Sequence, residues 1–128
     1  MTEEQLEPGS VGWMDLTVKK AGEVRDFYKN VVGWTTDSVD MGGYNDFVMI
    51  EPGRELPVAG ICHARGTNAG LPAQWLIYIT VADLDASIAS CKKLGGEVIR
   101  DATELTSDSR YCIIKDPSGA VAALFEKK

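Results

Sequence analysis

Two stretches of this chain share one layout, and that repetition constrains the fold more than any other feature of the sequence. Gly12 to Trp34 reads GWMDLTVKKAGEVRDFYKNVVGW, and Gln74 to Val98 reads QWLIYITVADLDASIASCKKLGGEV. Each begins with a β-rich run, continues into residues with helical spacing and ends on glycine. Thr17-Val18 corresponds to Thr80-Val81 and Gly33 to Gly95, at offsets of 63 and 62 residues, close to half of the 128. A repeat on this scale means one supersecondary unit used twice.

The first copy alternates from Val11 to Val18, which predicts a strand with Met14, Leu16 and Val18 on one face and Trp13, Asp15 and Thr17 on the other. Ala21 to Val32 is predicted helical, with Val24, Phe27, Tyr28, Val31 and Val32 forming an apolar stripe. Gly33 suits the left-handed residue that ends a helix, whereas Lys19-Lys20 offers no capping side chain at its start. Strands are expected over Trp34–Val39, Asn45–Glu51 and within Pro57–Ala64, separated by the turns Met41-Gly42-Gly43 and Pro52-Gly53.

Gly66 to Pro72 is loop chemistry throughout and marks the boundary between halves. The second copy then runs as a strand over Gln74–Val81, with Trp75, Ile77, Ile79 and Val81 opposed to Leu76, Tyr78 and Thr80. A helix follows from an Asp83 cap, with Leu84, Ile88 and Cys91 on one side. Strands are expected over Glu97–Asp101, Arg110–Lys115 and Ala120–Glu126, the last two joined by the tight turn Asp116-Pro117-Ser118-Gly119. The pattern is βαβββ twice: a flexible lead-in over 1–10, a first half over 11–65 and a second over 73–128, in one α+β domain.

Thirteen basic residues against nineteen acidic ones give a net charge of −6, which argues against nucleic acid or an anionic membrane as partner, since both need clustered Lys and Arg. No apolar run approaches the roughly 20 residues of a membrane span, and the N-terminus lacks the layout of a signal peptide. Cys62, Cys91 and Cys112 are an odd set without CxxC spacing, which reads as buried thiols in a reducing, cytoplasmic setting. There is no GxSxG, no phosphate loop and no Cys-His spacing of note.

Asp26-Phe27-Tyr28 with Val32-Gly33-Trp34, Val81-Ala82-Asp83-Leu84-Asp85-Ala86 leading to Leu94-Gly95-Gly96, and Asp116-Pro117-Ser118-Gly119 before the last strand resemble the vicinal oxygen chelate superfamily. That superfamily includes glyoxalase I, bleomycin-resistance proteins and extradiol dioxygenases. Val58-Ala59-Gly60-Ile61 with Trp75-Leu76-Ile77-Tyr78 is similar to a glyoxalase-like subgroup of actinobacterial antigens. The resemblance implies two βαβββ repeats forming paired curved sheets around a cavity, faced by Trp13, Asp15, Thr17, Leu76, Tyr78 and Thr80. It also implies a homodimer and a small-molecule ligand.

Metal-dependent members of that superfamily hold a divalent ion with His and Glu/Gln from the first, fourth, fifth and eighth strands. Carried onto this chain, three of those positions fall at Trp13, Leu76 and Ala123, none of which can ligate a metal through its side chain. The expectation is therefore a protein without metal or other cofactor that binds an aromatic or apolar ligand. Its site would be lined by Trp13, Asp15, His63, Leu76, Tyr78, Arg110 and Ala123, with Arg110 a candidate partner for Asp15. The alternative is a lyase, isomerase or dioxygenase-type enzyme. That enzyme would use a shifted divalent-metal site (Asp15, His63, Glu126) or metal-free acid–base chemistry through Asp15 or His63.

Overall fold

A computed structural model describes residues 6–128. Its elements are β1 (Val11–Val18), α1 (Ala21–Val32), β2 (Thr35–Asp40), β3 (Asn45–Glu51), β4 (Leu56–His63), β5 (Trp75–Thr80), α2 (Leu84–Lys93), β6 (Glu97–Thr106), β7 (Ser109–Lys115) and β8 (Val121–Lys127). The fold is α+β, and the βαβββ order occurs twice, as the repeat predicts. The chain divides into two compact units. One is Met14–Trp75; the other is Leu76–Lys128 together with the described residues up to Trp13.

In the Met14–Trp75 unit the strands run β2-β3-β4-β1, with β4 and β1 parallel and the other pairs antiparallel. Leu16, Ala21, Phe47, Met49, Ala59 and Ile61 form its core, on the face of the sheet that α1 covers. Burial on this scale is worth about 1.5–3 kcal/mol for each large side chain. The β3–β4 register slips between Met49 and Ile50, where Pro57 stands opposite. Proline has no N–H to give the ladder, so a bulge there loses little. Tyr28, Trp34 and Trp75 close this unit as an aromatic cluster, with centroids 5.3–6.1 Å apart and the Trp75 indole N–H donating to the Tyr28 hydroxyl at 3.1 Å.

Helix α1 differs from expectation in which face it buries. Ala21 is buried and Val24 and Tyr28 pack on the core, but Phe27, Val31 and Val32 are more than half exposed. Ala21, Val24 and Tyr28 make a narrower stripe at i, i+3 and i+7, and the remaining apolar residues lie outside it. The helix starts without a side-chain cap at Lys20, and Gly33 ends it in the left-handed region at φ 88°.

In the second unit the order is β5-β8-β7-β6, with β5 and β8 parallel. Leu84, Cys112 and Leu124 form the core under α2, with Ile79, Val81, Ile88 and Ile114 against it. The Asp83 carboxylate caps α2 by accepting the Ala86 N–H at 3.1 Å. β6 is twice as long as its apolar residues suggest. It runs on through Thr106, where a hairpin turn returns the chain into β7 and the Thr106 and Ser109 hydroxyls meet at 2.6 Å. Ala102 still packs on the core under α2, but residues 103–106 are an exposed part of an edge strand with no buried face to impose alternation, so backbone pairing holds them. Of the expected lead-in over 1–10, the first five residues lie outside the described ones. Gly9 donates to the Thr80 carbonyl at 2.7 Å and Thr80 donates to that of Ser10 at 2.8 Å, which ties the start of β1 to the second unit.

Candidate functional site

The sequence-predicted site residues fall into three groups. In the second unit, β5 and β8 align Tyr78 with Ala123, and β7 and β8 align Ile113 with Ala123 and Tyr111 with Phe125. Residues directly paired across strands share a face, and alternate residues along a strand share it too. Leu76, Tyr78, Ala123, Ile113 and Tyr111 therefore occupy one face of this sheet, turned away from α2. Leu76 and Ala123 are buried, Tyr78 is half-buried, and the rings of Tyr78 and Tyr111 lie 6.2 Å apart. The Arg100 guanidinium donates to the Tyr111 hydroxyl at 2.7 Å, so an otherwise apolar face ends in a cationic, hydrogen-bonding tip. Trp13 is half-buried in the same unit.

Arg110 and Glu126 sit on the opposite face. They pair with each other across β7 and β8, on the side where Cys112 and Leu124 meet α2. Glu126 accepts from the Arg110 guanidinium at 3.1 Å and from the Leu84 N–H at 2.8 Å, where it caps the first turn of α2. Arg110 also reaches Asp85 at 3.4 Å. The structure thus gives Arg110 and Glu126 a joint role at the start of α2, where a carboxylate also favours the helix dipole. These contacts engage the Arg110 guanidinium, which the sequence offered as a candidate partner for Asp15.

Asp15 and His63 belong to the Met14–Trp75 unit but not to one face. The β1–β4 register aligns Asp15 with Gly60, Thr17 with Cys62 and Val18 with His63. Cys62 therefore shares the face of Asp15, and His63 lies on the other. The Asp46 carboxylate binds His63 instead. It accepts the His63 backbone N–H at 2.8 Å and faces its ring Nδ1 at 3.2 Å. Sequence reasoning passed over Asp46, Tyr111 and Arg100. Asp46 was legible in principle, since aspartate is depleted in strands and stands here beside Phe47-Val48-Met49-Ile50.

The residues present do not fit the divalent ion of the metal-dependent superfamily members. Of the donor positions the resemblance implies, Leu76 and Ala123 are buried hydrocarbon and Trp13 has no ligating atom. In the shifted alternative, Glu126 is committed to Leu84 and Arg110. Among the described residues, no group of three or more His, Cys, Asp or Glu could hold a metal.

The three cysteines are free thiols. Burial, with the Asp15 and Asp46 carboxylates adding to it, pushes the Cys62 thiol well up, and burial pushes Cys112 up to about 11. Cys91 lines a cavity of about 220 Å³ beside α2. Because the thiolate is the nucleophile, iodoacetamide at about pH 8 is expected to label native protein at Cys91, with Cys62 and Cys112 reacting only after denaturation. Peptide mass mapping reads the result; rapid native labelling of Cys62 would contradict it.

The sequence matches the family model described as the Glyoxalase/Bleomycin resistance protein/Dioxygenase superfamily over residues 10–124, and the chain belongs to that family. It is 28% identical over 120 residues to CFP32 of Mycobacterium tuberculosis (strain CDC 1551 / Oshkosh), whose name calls it provisionally a glyoxylase. It is also 28% identical over 131 residues to the anthracycline biosynthesis protein DnrV of Streptomyces peucetius. Both matches take in 94% of this chain but 45% and 48% of the relatives, so the chain spans about half the length of the curated relatives it matches. Among solved structures, methylmalonyl-CoA epimerase from Mycobacterium tuberculosis aligns with a TM-score of 0.56 at 19% identity, covering 91% of this chain and 86% of that one. A hypothetical protein from Bacillus halodurans C-125 aligns at 0.59 and 16%, covering 91% and 92%. These structural likenesses establish the fold. No helix among the described residues is long and apolar enough to cross a membrane.

Proposed function

We propose that this protein binds a planar aromatic or apolar small molecule, without a catalytic metal, on the β5–β8–β7 face that carries Tyr78 and Tyr111. The observation that carries this reading is the content of that face. Two positions where metal-dependent relatives place ligands are the buried hydrocarbons Leu76 and Ala123, flanked by two tyrosine rings 6.2 Å apart. Flat apolar surface with a few polar groups suits aromatic ligands. The Arg100–Tyr111 contact adds a tip for an acidic or phenolic oxygen. The relative named for anthracycline biosynthesis supports a polycyclic aromatic ligand. The same reading extends to a cytoplasmic homodimer, supported by three unpaired cysteines and by the exposed Phe27, Val31 and Val32 on α1. Sedimentation velocity decides the dimer.

The test is calorimetric titration with anthraquinone-2-sulfonate, a planar aromatic anion. Saturable binding is expected, unaffected by EDTA. It should weaken roughly tenfold in Tyr111→Ala, the equivalent of about 1.4 kcal/mol for one lost ring contact and its polar tip. Absence of binding, or binding abolished by EDTA, would sink the proposal.

A further inference from the structure

Asp46 is out of character for its strand. It is a carboxylate only 7% exposed, followed by Phe47 and, two residues further on, Met49 of the core. A buried carboxylate is costly unless hydrogen-bonded. His63 meets it twice: the His63 backbone N–H donates to Oδ1 at 2.8 Å, and His63 Nδ1 lies 3.2 Å from the same oxygen. The backbone bond is anchored by β4 and holds the carboxylate in place against the imidazole. An ionised carboxylate only accepts hydrogen bonds, so Nδ1 carries the hydrogen of this contact. In the neutral ring that leaves Nε2 with the lone pair.

The surroundings suit proton transfer to a small molecule. The His63 side chain is 24% exposed, so solutes can reach the ring, while that of Asp46 is 10% exposed. Tyr44 meets the imidazole edge-on at a centroid distance of 5.5 Å, and Phe47 flanks it at 6.0 Å. The Arg65 guanidinium lies 4.1 Å over the Tyr44 ring and brings positive charge to the same corner. Cys62, the neighbour of His63, also contacts Asp46. None of these residues belongs to the Tyr78 face, and the inference does not rest on ligand binding there.

We propose that His63 and Asp46 form a metal-independent proton-transfer dyad, with His63 Nε2 as the base and Asp46 as the residue that positions it. Its substrate class is small molecules with an acidic hydroxyl, a phenol or an enol. In the transfer the O–H bond breaks with its electron pair left on oxygen. The proton forms a new N–H bond at Nε2, and the imidazolium is held by the Asp46 carboxylate while Arg65 favours the oxyanion. Return of the proton on release closes the cycle, so no co-reactant is consumed.

His63 is the only histidine in the chain, which makes the test clean. Long-range proton–nitrogen NMR at about pH 9, above the ordinary imidazole range, is expected to show Nδ1 protonated and Nε2 bare. Diethyl pyrocarbonate is expected to carbethoxylate His63, located by peptide mass, and to leave no histidine adduct in His63→Gln. Asp46→Asn should slow that reaction roughly tenfold, as loss of an orienting and charge-stabilising partner does for an imidazole base, with circular dichroism confirming the fold. A hydrogen on Nε2 would mean that Asp46 does not position the ring, and a reaction as fast in Asp46→Asn as in the wild type would mean that their contact is structural only. Either result overturns the dyad. Should Asp46→Asn fail to fold, Asp46→Ser takes its place, with a slowed reaction upholding the proposal and an unchanged one overturning it.

Discussion

Ala123→Glu is expected to lower stability by about 3–5 kcal/mol at neutral pH, the range for a buried charge left without a partner. The position is fully buried, aligned with Tyr78 on one side and Ile113 on the other, and Ile113 is itself 1% exposed. In metal-dependent relatives a carboxylate on this strand meets a cation. Here the other two matching positions hold Trp13 and Leu76, so added zinc is expected to restore nothing. The pH dependence has a definite sign. Burial raises the introduced carboxyl's pKa in the folded state, so the folded protein binds the proton more tightly than the unfolded chain. The penalty is present in full above that raised value and is relieved as pH falls through it. Urea unfolding of the variant at acid and neutral pH, with and without zinc, measures this. A variant as stable as wild type would mean that position 123 is not the dry site described, and one rescued by zinc would mean that the Tyr78 face is a metal site after all.

Gly96→Ala should be nearly as damaging, by about 2–3 kcal/mol, the scale of overpacking in a rigid site. A Cβ there would stand 2.6 Å from Cys91 Sγ and 3.1 Å from the carbonyl oxygens of Cys91 and Lys115. The sulfur is the end of a side chain and could turn. The two carbonyls belong to α2 and β7 and cannot move without shifting the elements themselves. The neighbouring Gly95→Ala is the control. Gly95 sits at φ +91° with nothing within 4 Å, so its substitution carries only backbone strain, about 1 kcal/mol. Thermal unfolding should rank Gly96→Ala well below Gly95→Ala, and adding Cys91→Ala should recover only part of the loss. Equal melting temperatures would mean that α2 and β7 are less tightly apposed than described.

Residue pattern made some of this legible beforehand. Alternation in Val11–Val18 and Trp75–Thr80, the Asp83 cap and the glycines after each helix all act over a few residues. The elements they announced appear where expected. The end of β6 was not legible, because TELT after Ala102 has no buried face to imprint a period and is held by pairing with β7. The α1 stripe was over-read for a related reason: helical spacing says which residues could share a face, not how wide a face the sheet will cover. The same gap separated Arg110 and Glu126 from the site they were expected to join, since pairing across β7 and β8 turned both toward α2.

The sequence by itself determined the repeat, the α+β class, the family likeness and the absence of donor atoms at Trp13, Leu76 and Ala123. Those are properties of residue identity and short-range spacing, which no packing can change. Only the tertiary structure decided that Asp46 is the partner of His63, that Tyr111 joins Tyr78 with Arg100 at its tip, and that Glu126 caps α2. Each depends on strand register between residues 11 to 42 positions apart. Register is set by which faces the whole sheet buries, and a local pattern carries no information about it.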